Sequence, residues 1–173
     1  MKAVFHSGYF LLICALASMD IAAAQPANMR CASDNSTIAA QTLHCEGGVT
    51  IVAEWGAQYT LRDRSGKGQV DAVELNSKAL LIEVQRKSGG TRFLVITPQA
   101  ITAVRGTKWA VDAAEAKTSV FVVSGRVDVG RRKDRDHVTL GSGEGVDVEE
   151  VGSLTVKRWP QARVSALMAR LGQ

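Results

Sequence analysis

Residues 119–130 read Ser-Val-Phe-Val-Val-Ser-Gly-Arg-Val-Asp-Val-Gly. Val120 and Val122 share one parity, Val127 and Val129 share the other, and the change falls at Ser124-Gly125. Successive side chains of a strand point to opposite faces, so a slip in register would turn these valines to solvent. A glycine at the switch permits a bend or bulge, and the chain keeps its apolar side inward while turning a corner. Two short strands joined at a corner imply a layered β structure.

The surrounding chain repeats the pattern. Candidate strands fall at 49–55, 59–62, 70–75, 79–85, 91–97, 101–104, 108–112, 119–123, 126–130, 137–140, 145–149 and 153–157. Val, Ile and Thr dominate these runs, and glycines at 66, 68, 89, 90, 125, 141, 143 and 145 punctuate them. No helical period separates them, which argues against a parallel α/β fold and for a sandwich, jelly roll or β-solenoid. The tail differs. Pro160 suits a first helical turn, Val164, Leu167, Met168 and Leu171 form one apolar stripe, and Arg163 and Arg170 lie off it. A short amphipathic helix over 158–173 is expected to cap one end of the β core.

The chain has 173 residues, 46% hydrophobic and 22% charged, which fits one folded domain and excludes pervasive disorder. Lys+Arg 21 against Asp+Glu 17 leaves +4, and the basic residues alternate with acidic ones, so nucleic acid is not expected as a partner. Residues 1–24 read as a secretory signal peptide, with Lys2 as the n-region, Phe5 to Ala17 as the apolar stretch, and Ala22-Ala23-Ala24 before Gln25. The mature chain is expected to run from Gln25 to Gln173, without stable membrane insertion. Export into an oxidising compartment favours a Cys31–Cys45 disulfide closing a 15-residue loop, worth about 3 kcal/mol. It would tie down a polar arm over 25–48, ahead of a β domain over 49–157.

Chemistry-bearing patterns are sparse. His44 and His137 have no nucleophile beside them in a recognisable context, and no G-x-S-x-G turn exists. Catalytic residues, cofactors and metals are therefore not expected. The stretch Asp63 to Glu74 has oxygen donors at the spacing of a calcium loop, but Lys67 occupies a ligand position and the flanks read as strands. A glycine-rich hairpin turn is the expected reading. The run Arg131 to Asp136 interleaves its charges and is expected to be a solvated turn.

One set of motifs is more specific. Thr97-Pro98 is followed by Val104-Arg105-Gly106-Thr107-Lys108-Trp109-Ala110-Val111, then by Val120 to Val129 around Gly125, then by Val138 to Val146. This arrangement resembles the FecR protein domain, whose hallmark is T-P, then V-R-G-T-x-aromatic-x-V, then V-x-V-x-x-G-x-V-x-V. The resemblance covers about residues 69–150 and implies a periplasmic all-β domain with β-solenoid or jelly-roll-like windings. Within it, Gly106 is expected to allow a close backbone approach, Thr107 to bond neighbouring backbone, and Trp109 and Val111 to face the core. Arg105 is expected to be partly buried as a structural clasp, with carbonyl or carboxylate partners.

FecR-like proteins of the founding kind relay occupancy of an outer-membrane transporter to a cytoplasmic sigma factor. They do so through a cytoplasmic segment, a membrane helix and the periplasmic domain. Here a signal peptide stands where the cytoplasmic segment would be, so direct anti-sigma activity is not expected. The resemblance implies a non-enzymatic periplasmic module, a protein-binding accessory in envelope signalling whose partner is a membrane sensor or transporter. The alternative is a structural or peptidoglycan- or polysaccharide-binding envelope protein, with Trp55, Tyr59 and Trp159 stacking on sugars if exposed.

Overall fold

A computed structural model describes residues 30–34, 39–86, 92–133 and 135–173; the signal segment 1–24 lies outside them. The fold is all-β with one short C-terminal helix. In chain order the strands are β1 (Cys31–Asp34), β2 (Ala40–Cys45), β3 (Val49–Glu54), β4 (Gln58–Arg62), β5 (Ala72–Val84), β6 (Phe93–Ile96) and β7 (Ala100–Val104). There follow β8 (Lys108–Ala113), β9 (Lys117–Ser124), β10 (Arg126–Arg131), β11 (His137–Gly141), β12 (Glu144–Glu149) and β13 (Lys157–Arg158), then the helix α1 (Gln161–Arg170).

These strands form one curled sheet whose two halves face each other. Sheet I runs β1-β2-β3-β5-β8-β9-β12-β13, and sheet II runs β4-β5-β6-β7-β10-β11. The long strand β5 belongs to both, because its first half pairs with β4 and β6 and its second half with β3 and β8. The two runs read separately at 70–75 and 79–85 are thus a single strand. It crosses between the sheets at Lys78, whose φ is 65°. Among the described strands every pairing is antiparallel except β5 with β6.

The chain alternates between layers, and its glycines mark the crossings. It leaves sheet II after β7 at Gly106 and returns after β9 at Gly125, with φ of 65° and 93°. The parity change at Ser124-Gly125 is therefore a passage from one sheet to the other. Valines 120 and 122 face the shared core from sheet I, and Val127 and Val129 face it from sheet II. That core also holds Ile51, Leu75, Leu80, Ile82, Phe93 and Trp109. Each such side chain contributes about 1.5–3 kcal/mol by leaving water.

The stretch read as an arm supplies two strands. β1 pairs with β2 and β2 with β3, so residues 31–34 and 40–45 are part of sheet I. Few β-branched residues occur there, which hid the strands from a propensity reading. Cys31 and Cys45 stand directly opposite each other across β1 and β2 and are joined by the disulfide.

Candidate functional site

The family-type motifs build the crossings. Gly106 and Gly125 lie side by side: a Cβ on Gly125 would come 2.8 Å from Thr107 Oγ1 and 3.1 Å from the Gly106 carbonyl oxygen. A Cβ on Gly106 would meet Arg86 Cβ at 2.6 Å. Positive φ and the lack of room both demand glycine there. The Thr107 hydroxyl donates to the Arg126 carbonyl at 3.0 Å, stitching one crossing to the next. Trp109 is fully buried and meets Phe93 edge-on at 6.0 Å. Gly106, Thr107 and Gly125 meet at these crossings, and Trp109 lies in the shared core.

Arg105 is exposed, contrary to the partial burial expected of it. The buried arginine is Arg131, which continues the inward parity of Val127 and Val129. Its Nε donates to the Glu149 carbonyl at 2.9 Å, Nη2 donates to the Gly152 carbonyl, and Nη1 donates to Asp136 at 3.2 Å. It ties sheet II to the end of β12 in sheet I. The alternation of β10 carries the signal for this, and a reading of 131–136 as a charged turn passes over it.

A second polar clasp lies at the same end. Thr97 and Gln99 are buried while Pro98 between them is exposed. The Thr97 hydroxyl accepts from the Ala100 N–H at 2.8 Å and lies 2.8 Å from the Thr118 hydroxyl of β9. Thr118 donates to Gln99 Oε1 at 2.9 Å, and Gln99 Nε2 donates to the Glu115 carbonyl at 3.0 Å. Every polar side chain in this buried chain has a partner, so the network holds two sheets together at little desolvation cost. The threonine of the T-P motif carries the contact.

The outer face of sheet I is closed by the C-terminal segment. Val52, Ala79, Leu81, Ala110 and Phe121 form a second apolar cluster with Trp159, Leu167 and Leu171. The Trp159 ring stacks on Phe121 at 5.2 Å and lies flat over Gly145, where a Cβ would come within 2.4 Å of it. The Arg163 guanidinium lies over the ring, 3.5 Å from its centroid. Arg163 also donates to Asp147 at 2.5 and 3.1 Å. Burial alone would raise the Asp147 pKa, but the Arg163 and Ser119 hydrogen bonds and nearby positive charge outweigh it and hold the carboxyl below its usual range. Arg170 donates to Asp112 and Glu54, which raise its pKa. The two arginines off the apolar stripe thus clamp the helix to acidic residues of the sheet.

The outer face of sheet II has no such cover among the described elements. Leu94, Ile96 and Ala103 are half-buried, Ile101 is 36% exposed, and none belongs to either apolar cluster. The registers Leu94↔Ala103 and Ile96↔Ile101 place them together at the centre of the face. The rim is polar: Arg62 pairs with Glu74 at 2.8 Å, and the Thr139 hydroxyl donates to Asp128 at 2.8 Å. An apolar patch with a polar rim is the usual form of a contact surface.

Other candidates are accounted for locally. The Asp63 loop joins β4 to β5 as a hairpin. Asp63 accepts from the Gly68 and Lys67 backbone and from Ser65, and Asp71 accepts from the Arg64 and Ser65 backbone. Burial opposes ionisation of Asp63, yet these hydrogen bonds win and its pKa is lowered. Its oxygens cap a turn. Among the described residues no group of three or more His, Cys, Asp or Glu is placed to hold a metal ion. A polar groove of about 320 Å³ lies beside β12 and contains Arg131, Asp147 and Arg163, all engaged as described. Ser119 donates to Asp147 at 2.6 Å, and the described histidines, His44 and His137, are both exposed on strands outside the groove. Of the three aromatics considered for sugar stacking, Trp159 is buried, Tyr59 is half-buried, and Trp55 is 45% exposed.

The model of the FecR protein family matches residues 39–128, just over half of the chain. The chain belongs to the FecR family. The match begins at residue 39, ahead of the resemblance at 69, and takes in β2 and β3; β11 and β12 lie beyond its end. This is a family of signalling regulators. Two crystal structures of a candidate anti-sigma factor from Parabacteroides distasonis share the fold. One has a TM-score of 0.57 at 21% identity, covering 75% of this chain and 60% of that one. The other has a TM-score of 0.60 at 22% identity, covering 81% and 64%. The chain thus spans under two thirds of the length of these neighbours. No curated protein matches it. Among the described residues no helix is long and apolar enough to cross a membrane.

Proposed function

We propose that this FecR-family protein is an exported, periplasmic, non-enzymatic binding module that acts as an accessory in envelope signalling. Its partner is an envelope protein such as a membrane sensor or transporter. The observation that carries the reading is the unequal finish of the two outer faces, one sealed by α1 and the other left apolar and polar-rimmed. Family membership supports the signalling role, and the disulfide across β1 and β2 supports an oxidising compartment. The residues of the shared motifs serve the binding role indirectly, by holding sheet II rigid through the Gly106 and Gly125 crossings.

Cell fractionation with mass spectrometry of the N-terminus tests the location. A chain beginning at Gln25 in the periplasmic fraction is the expected result, and an unprocessed chain in the cytosol contradicts the reading. Deletion of the gene should alter transcription of a small set of envelope genes. An unchanged transcript profile across envelope stress and transporter induction contradicts the signalling role.

A further inference from the structure

The open face of sheet II carries an arginine row. The pairs Phe93↔Val104 and Val127↔Val104 set the ends of three neighbouring strands level. One residue beyond those pairs stand Arg92, Arg105 and Arg126. They continue the outward parity of Leu94, Ala103 and Asp128, and all three are exposed. Adjacent strands lie about 4.8 Å apart, so the three guanidinium stems rise side by side. Among the described residues none of the three has a carboxylate in ion-pair range. By contrast Arg62, Arg131, Arg163 and Arg170 each have one. Three like charges in a row repel one another and lower stability, and an anionic partner would relieve that repulsion.

We propose that this face binds an acidic segment of another protein, one whose apolar stripe lies on Leu94, Ile96, Ile101 and Ala103 while its carboxylates meet Arg92, Arg105 and Arg126. The proposal rests on the binding role above and names the chemistry of the partner. The molecule itself shows the mode of docking. On sheet I, α1 lays an apolar stripe on the sheet and its arginines grip sheet carboxylates at Asp147, Asp112 and Glu54. On sheet II the sheet holds the arginines, so the complementary segment holds the carboxylates. Neither the helix nor the N-terminal segment of a second copy has this charge pattern. The helix α1 of a second copy contains Arg163 and Arg170 and no carboxylate, and residues 1–29 carry Asp20 alone against Lys2. An anionic lipid surface fits less well, because Glu74 and Asp128 sit on the same face and a uniform negative plane would meet both. A peptide segment places its carboxylates one at a time and avoids them.

The test is site-specific photo-crosslinking of the full chain in its native host cells, with p-benzoylphenylalanine at position 101 and a control at Val151, which is 80% exposed and away from the face. The crosslinked peptide is sequenced by mass spectrometry. The expected adduct at 101 is a segment of another protein with carboxylates clustered beside apolar residues. It should fall about tenfold in the variant Arg105→Glu/Arg126→Glu and return when the partner's carboxylates are changed to lysine. Circular dichroism of the purified variant checks that it folds, and Arg105→Gln/Arg126→Gln, giving an intermediate loss, serves as the milder second variant. An adduct to phospholipid, to a second copy of this chain or to a segment without carboxylates overturns the proposal, as does labelling at 101 no stronger than at 151. Such a result in an exported chain leaves the periplasmic binding role standing; retention in the cytosol removes both.

Discussion

The two outer faces of this sandwich have the same β geometry and opposite fates. On sheet I the outward positions Ala79, Leu81 and Ala110 are 0–2% exposed, because Trp159 and α1 lie over them. On sheet II the outward Ile101 is 36% exposed. The polarity of the clamps is reversed as well. Sheet I offers Glu54, Asp112 and Asp147 to two helix arginines, and sheet II offers Arg92, Arg105 and Arg126 to no described carboxylate. The difference teaches that apolar strands alone do not decide whether a face is core or contact surface. What decides is whether the chain returns to cover it.

Substitutions on the two faces should separate this contrast by size. Trp159→Ala removes the ring between Phe121, Gly145 and Arg163 and should cost about 3–5 kcal/mol in urea denaturation, with α1 released from sheet I. A cost under about 1 kcal/mol would mean that the helix is only loosely held. Asp147→Asn probes the clamp. The folded Asp147 has a lowered pKa, so its contribution is complete above the unfolded value of about 3.9 and is lost as pH falls through the folded value. The variant should therefore lose less stability than wild type between about pH 5 and pH 2. The effect should be under about 1 kcal/mol, since the pair is partly solvated. Unchanged acid sensitivity would assign acid unfolding to other carboxylates. Ile101→Thr, which keeps the β-branched shape on this partly exposed strand position, should change stability by no more than about 1 kcal/mol while weakening the binding proposed for this face. A large loss would show that the face is covered.

The fold was legible in the sequence because its signals are local. The valine parity switch at Gly125 and the stripe Val164, Leu167, Met168 and Leu171 each report their own element. Strands β1 and β2 were not legible, since Ser33, Gln41 and His44 dilute the β-rich pattern and a disulfide does part of the holding. The candidate site was legible only in part. Arg105 drew attention through its motif, but its neighbours Arg92 and Arg126 join it only by the pairing of β6, β7 and β10, a register that spans more than 30 residues of chain. The same holds for Thr118 and Gln99, which meet across two sheets. Arg163 and Arg170 read as off-stripe charges because the carboxylates they grip come from distant strands.

The most direct test of the open face is solvent relaxation of methyl groups in the free, full-length protein. Leucine and isoleucine methyls would be recorded by NMR with a soluble paramagnetic agent. The Ile101, Ile96 and Leu94 methyls should broaden strongly while those of Leu81, Leu167 and Leu171 stay sharp. Equal protection of both sets would show that sheet II is covered in the free protein, and the account of an unfinished face would be wrong.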